Sequence, residues 1–288
     1  MIDRACVFAH YDKDDRVDDY VYYYLGELLT VVQKLVFVTV SNISKDDIGK
    51  LKNLNIEVIK RENIGYDFYS YKIGIEHLSL DLYDELIICN DSAFGPLVPI
   101  QNIFDAMQDK ECDFWGITDS ALVAYHLQSY FIVFNKPILQ SFVFTNFWNR
   151  VKILNDKDEI IKQYEVGLSR ILLKNKFISK SFINKHIPLR EHFRSYKINI
   201  RHKNYKYLRL IKTLGTFQFI WKKYQKKYNP AVGHWEYLIL NQGMPFIKKS
   251  LFTTDENKVL HQQKYVKLSK MLTSYPSSLI TNYIKRYL

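Results

Sequence analysis

Two short segments concentrate the residues able to do chemistry. The apolar Ile87-Ile88-Cys89 runs into Asn90-Asp91-Ser92, an amide, a carboxylate and a hydroxyl in succession, and Gly95-Pro96 follows closely. A buried strand that delivers polar side chains at its C-terminal end is how open α/β sheets build ligand crevices. One carboxylate there can hold a hard cation through oxygen, leaving the other ligand positions to water and phosphate. Upstream, Asn63-Ile64-Gly65-Tyr66-Asp67-Phe68 sets a glycine, which permits close approach of the backbone to a ligand, beside a carboxylate and two aromatic rings. The rings can stack on a base or cover a sugar face. The same residue types also suit a tight turn and a helix cap.

Such residues work only if other elements bring them together. Ala5–Ala9 reads as a first buried strand with His10, Tyr11 and Asp12 at its tip. Val17, Val21, Tyr24, Leu25 and Leu28 share one face of a helix over Val17–Val32. A second strand, Lys34–Val40, ends at Ser41-Asn42, and a helix over Lys45–Leu54 leads to a third strand, Ile56–Lys60. A loop from Arg61 to Asp67 enters a helix over Tyr69–Leu78, and Tyr83–Cys89 makes a fourth strand. Beyond it, a helix over Ile103–Gln108, a strand over Ser129–Asn135 and a helix over Ile160–Lys174 are expected. Alternating strands and helices predict a mostly parallel sheet flanked by helices. Right-handed crossovers then place His10–Asp12, Asn63–Asp67 and Asn90–Ser92 on one sheet edge. Together they read as a nucleotide-sugar site.

Composition agrees with a folded chain. Of 288 residues, 47% are hydrophobic and 25% charged, which excludes wholesale disorder. The 22 Tyr and 18 Phe are numerous, but they fit strands and sugar sites equally well. The net charge of +11 is uneven: residues 190–250 hold fourteen Lys/Arg against Glu191 and Glu236, so the remainder is near neutral. A polyanionic or membrane-surface partner is expected for that stretch, with a solvated basic face as the plainer reading. Residues 190–230 within it also read as helical. The expected organisation is a catalytic domain over 1–188 and a basic helical region over 189–288, packed on it and facing acceptor or membrane. Cys6, Cys89 and Cys112 show no zinc-ligand spacing and read as reduced thiols. Neither a signal peptide nor a bilayer-length apolar run is evident. A cytoplasmic protein, soluble or peripheral on the inner membrane face, is expected.

The chain resembles the rhamnan synthesis protein F family. The resemblance is carried by Ala9-His10-Tyr11-Asp12, Arg61-Glu62-Asn63-x-Gly65-Tyr66-Asp67-Phe68, Asn90-Asp91-Ser92 and the run from Asp113 through Trp115 to Asp119. His126-Leu127-Gln128-Ser129-Tyr130-Phe131, Tyr164-Glu165-Val166-Gly167-Leu168, Asn229-Pro230, Trp235-Glu236 and Pro245-Phe246-Ile247-Lys248-Lys249 extend it to about residue 252. It implies a GT-A-like (Rossmann-like) α/β glycosyltransferase of bacterial surface polysaccharide synthesis. It further implies dTDP-L-rhamnose as donor, a glycan or lipid-linked glycan as acceptor, and inversion at the anomeric carbon. The order Asn63-x-Gly65, Lys72-x-Gly74, Asn90-Asp91-Ser92 and Glu165-x-x-Leu168 is also similar to family 2 glycosyltransferases. Two departures stand out: the DxD element keeps one carboxylate, and Ser41-Asn42 replaces the second-strand Asp that meets the nucleoside.

On this reading His10, Tyr11, Asp12, Asn63, Gly65, Tyr66, Asp67, Lys72, Asn90, Asp91 and Ser92 bind the donor. Asp91 would also contact Mg²⁺ or Mn²⁺. Glu165 takes the acceptor proton, with Asp119 the runner-up base, and Trp115, His126 and Gln128 line the acceptor groove. A transferase using another nucleotide sugar, a non-catalytic scaffold and a nucleic-acid-binding protein are the competing readings. The last ranks lowest, because the basic stretch is separate from the strand-tip motifs.

Overall fold

The computed structural model describes residues 2–183, 187–188, 229–255, 258–272 and 274–286. The helix expected over 190–230 lies almost wholly outside them. Strand β1 (Arg4–His10) is buried on both faces, as its unbroken apolar sequence requires of a central parallel strand. It pairs in parallel with β2 (Lys34–Thr39) on one side and β4 (Glu85–Asn90) on the other. β3 (Glu57–Lys60) extends the sheet beyond β2. On the other flank β9 (Phe131–Asn135) runs antiparallel to β4, and β6 (Phe114–Gly116) and β10 (Ser179–Ser181) complete the order β10-β6-β9-β4-β1-β2-β3. This is the mostly parallel α/β sheet expected, made mixed by one reversed strand that alternation did not reveal.

Alternate side chains of β1 feed two cores. Cys6 and Phe8 face helix α1 (Asp19–Leu29), whose Tyr20, Val21, Tyr24, Leu25 and Leu28 are buried as the spacing predicts. Val7 and Ala9 face helix α3 (Tyr66–Glu76) on the opposite side. Helix α2 (Lys45–Asn53) is capped by Ser44 and links β2 to β3. α3 begins three residues before the expected start because Gly65, at φ +75°, reverses the chain in the left-handed region. The Arg61 guanidinium gathers the carbonyls of Glu62, Ile64 and Tyr66 and so ties that loop to the helix. At Gly74 a Cβ would lie 2.3 Å from Val7 Cγ1, so the glycine sets how closely α3 meets the sheet.

Short β5 (Ala93–Phe94) and helix α4 (Ile100–Gln108) follow β4, and β7 (Asp119–Ser120) pairs with β8 (His126–Leu127) in a small separate hairpin. After β9 come α5 (Lys136–Leu139), α6 (Phe142–Arg150) and α7 (Lys157–Ile160), then one π-helical turn, Ile161–Glu165, before α8 (Val166–Lys174). The continuous helix expected over 160–174 is thus interrupted at the residue singled out as base.

The described C-terminal part is helical: α9 (Pro230–Gly233), α10 (Trp235–Gln242), α11 (Ser250–Thr253), α12 (Lys258–Ser269) and α13 (Ser277–Arg286). Its single strand, β11 (Ile247–Lys248), pairs antiparallel with β5. Trp235, Phe246, Tyr265 and Tyr283 enter the same core as α1. No helix among the described residues is long and apolar enough to cross a membrane.

Candidate functional site

The register fixes which tips are neighbours: Ala9 lies opposite Asn90, His10 opposite Thr39, and Thr39 opposite Lys60. Because β9 is reversed, its start lies beside the end of β4, with Cys89 opposite Phe131. Ser129, Gln128 and His126 therefore reach the same edge.

Asn90 organises the centre. Its Nδ2 donates to Asp67 Oδ2 at 2.8 Å, and its Oδ1 accepts from the Ser92 N–H at 3.0 Å. The segment 63–68 and the segment 90–92 are thereby joined, as the convergence of tips requires. Burial and the nearby Asp91 charge push the Asp67 carboxyl up to about 6, against pulls from Lys248 and Lys249. Asp91 Oδ2 accepts from Lys249 Nζ at 2.8 Å and from the Tyr20 hydroxyl at 3.3 Å. Burial lowers His10, whose Nδ1 is 2.9 Å from Thr39 Oγ1, so the ring is neutral at neutral pH.

Glu165 belongs to this cluster. Its Oε1 accepts from both the N–H (2.7 Å) and the hydroxyl (2.8 Å) of Ser129, and its Oε2 lies 3.8 Å from His126 Nε2. Single π turns inside helices occur often at functional sites, and here one ends on this glutamate. Its charge is felt at both Asp67 and Lys248.

Sequence reasoning did not assign roles to Lys248 and Lys249. β11 lays them along β5, and the Lys249 N–H donates to Ser92 O at 3.0 Å. Lys248 Nζ sits 3.6 Å from the centroid of the Tyr130 ring. Burial pulls Lys248 down to about 8, while Glu165 and Asp67 favour its charge. The signal was present in Pro245–Lys249, but a Lys pair within a basic stretch reads as a solvated face.

Other expected residues are placed differently. Lys72 is held by Trp148 O (3.0 Å) and Glu76 (2.7 Å), which commits its ammonium to the helix layer rather than to a phosphate. Trp115 is buried against Phe104 and Phe131, in core packing rather than a groove wall. Asp12 is engaged by the Asp14 and Arg16 N–H groups at one oxygen and by Arg286 at the other, so its carboxylate is occupied by the fold. Asp119 Oδ2 accepts from Ser181 Oγ (3.3 Å), at the end of the strand β10. Gln128 is buried and accepts from Thr118 Oγ1 at 2.6 Å. Tyr11 and Tyr66, each 49% exposed, and the exposed Asn63 stand free on the tips for contact with a ligand.

The residues around Asp91 do not make a shell for a divalent cation as they stand. Asp91 Oδ2 already carries the Lys249 ammonium, and Asp67 is bonded to the Asn90 amide. Among the described residues no group of three His, Cys, Asp or Glu is placed to hold a metal.

Comparison with known proteins bears on the family of the chain. The chain is 30% identical over 237 residues to the virulence protein VirA of Vibrio anguillarum, covering 75% of this chain and 68% of that protein. It is 28% identical over 152 residues to the protein y4gN of Sinorhizobium fredii, covering 51% and 40%. Among solved structures, a nucleotidyl transferase from Methanothermobacter thermautotroptrophicus superposes with a TM-score of 0.40 at 8% identity, over 62% of this chain and 86% of that one. Residues 35–200 match the family model described as rhamnan synthesis protein F. The chain belongs to the rhamnan synthesis protein F family.

Proposed function

We propose that the chain is a nucleotide-sugar-dependent glycosyltransferase that moves L-rhamnose from dTDP-L-rhamnose to a hydroxyl of a growing, lipid-linked bacterial surface polysaccharide, with inversion. The observation that carries this reading is the seating of Glu165 by two hydrogen bonds from Ser129 at the edge where Asp67, Asn90 and Asp91 meet. In the reaction the acceptor oxygen attacks the anomeric carbon, its proton passes to the Glu165 carboxylate, and the nucleoside diphosphate departs with the electron pair of the broken C–O bond. A positioned base contributes about 10²–10⁴-fold. Asp67 is suited to sugar or ribose hydroxyls, and the exposed Tyr11 and Tyr66 rings to the base. Residues 189–288 would form the acceptor- or membrane-facing region, working at the cytoplasmic face. A relative that is a virulence protein is compatible with a surface-polysaccharide role.

The test is a panel of nucleotide sugars screened for thermal stabilisation and then for turnover with a lipid-linked glycan acceptor. A ligand at a hundred times its Kd stabilises by about 2.7 kcal/mol, which a melting curve resolves. Stabilisation and turnover with dTDP-L-rhamnose are expected. Turnover with a different nucleotide sugar alone would replace the donor, and none with any donor would remove the transferase reading.

A further inference from the structure

Diphosphate departure requires positive charge at the leaving oxygens, and at this strand edge the chain brings its own. β11 places two consecutive ammonium groups beside the carboxylate cluster. We propose that Lys248 and Lys249 form a diphosphate clamp that takes the place of a divalent cation, so that the nucleoside diphosphate is bound and released without metal. This inference deepens the transferase reading above and rests on it.

Lys249 is fixed from three directions. Its ammonium meets Asp91 Oδ2 and the Tyr20 hydroxyl, both at 2.8 Å, and its N–H is tied to Ser92 O. It therefore neutralises the one carboxylate that would otherwise repel a diphosphate at the tip of β4. Lys248 has the complementary property. Among the described residues its ammonium makes no hydrogen bond, resting only on the Tyr130 ring. An ammonium with three unused donors, half-buried and within the fields of Glu165 and Asp67, is a point charge ready for phosphate oxygens. As the C1–O bond breaks, the growing charge on the leaving oxygen is offset by two ammoniums that give up no proton. The acceptor proton goes to Glu165, so the balance is complete without a further reactant. A divalent ion would instead have to displace Lys249 from Asp91 and free Asp67 from Asn90.

The test is calorimetric titration of the whole protein with dTDP and with UDP, in chelator and in excess Mn²⁺, for wild type, Lys248→Met, Lys249→Met and the double variant Lys249→Met/Asp91→Asn. The double variant removes the unpaired Asp91 charge, so a loss of binding there is not a loss of fold, and melting curves check every protein. Expected are equal affinities with and without metal, and a loss of about tenfold or more for each lysine variant, the size of one charge-assisted hydrogen bond. Lys249→Arg should recover most of the loss. Binding that needs Mn²⁺, or lysine variants that bind as wild type does, would overturn the clamp while leaving the transferase reading intact. Absence of dTDP and UDP binding under both conditions would instead overturn the transferase reading, and the clamp with it.

Discussion

Glu165 presents one carboxylate oxygen to Ser129 and turns the other toward His126. Glu165→Gln keeps an acceptor for both Ser129 donors and removes only the basic oxygen. Turnover should fall about 10²–10⁴-fold with little change in donor affinity, measured as kcat against donor KM. Asp67 makes a different prediction. Its folded value, about 6, lies above the ordinary carboxylate value, so the unfolded chain ionises first. Stability is then present at low pH and is lost as pH rises through about 6. Asp67→Asn should therefore be more stable than wild type above that pH, on the order of 1–2 kcal/mol. The advantage should vanish toward pH ~4, while donor affinity drops at every pH; denaturant titration across pH checks the first part. Lys248, held near 8 by burial, should give donor binding a basic limb above that pH, absent from Lys248→Met and read from kcat/KM. Asn90, Asp91 and Asp67 were legible in the sequence because each lies at the end of a strand or the start of a helix, whereas Glu165, inside an expected helix, stood out only through the motif it shares with family 2 glycosyltransferases. Lys248 was not legible, since only its pairing with Ala93 across the fold removes it from the basic face.

Helix α3 carries Asp67 in its first turn, and its distance from β1 is set by Gly74. A methyl group there would meet Val7 at 2.3 Å. Gly74→Ala should cost about 1–3 kcal/mol of stability and weaken donor binding, because the shift displaces Asp67 from Asn90. Gly74→Ala combined with Val7→Ala should restore much of both, which thermal melts and titration with dTDP would show. The parallel strands were readable from apolar runs and intervening helices. The reversal of β9 was not, because an apolar run such as Phe131–Phe134 carries no mark of direction. The π turn escaped for a related reason: Ile161–Glu165 has ordinary helical spacing, and its extra residue becomes visible only when Ser129 claims the glutamate.

At the scale of the molecule, the C-terminal helices close the strand-tip edge. Arg286 on α13 reaches Asp12, Asp14 and Asp18, and Tyr283 packs on Tyr20 and Phe94. The sequence placed the positive charge of this region outside the site, on an acceptor or membrane surface, yet the fold directs Lys248, Lys249 and Arg286 inward. Pairings across some 150 to 270 residues cannot be read from local pattern. Arg286→Met leaves the buried Asp12 carboxylate without its partner and should destabilise by about 3 kcal/mol. The added substitution Asp12→Asn should recover most of that, because the Asp14 and Arg16 N–H donors remain satisfied. The central claim, that the strand-tip edge is the donor site, is tested most directly by a crystal structure of the protein grown with dTDP. The diphosphate is predicted within hydrogen-bonding distance of Lys248 and Lys249, at the strand edge that holds Asp67, Asp91 and Glu165. Nucleotide bound instead in the crevice between Arg4, Glu85, Gln101 and Asn135, at the opposite ends of β1 and β4, would contradict it.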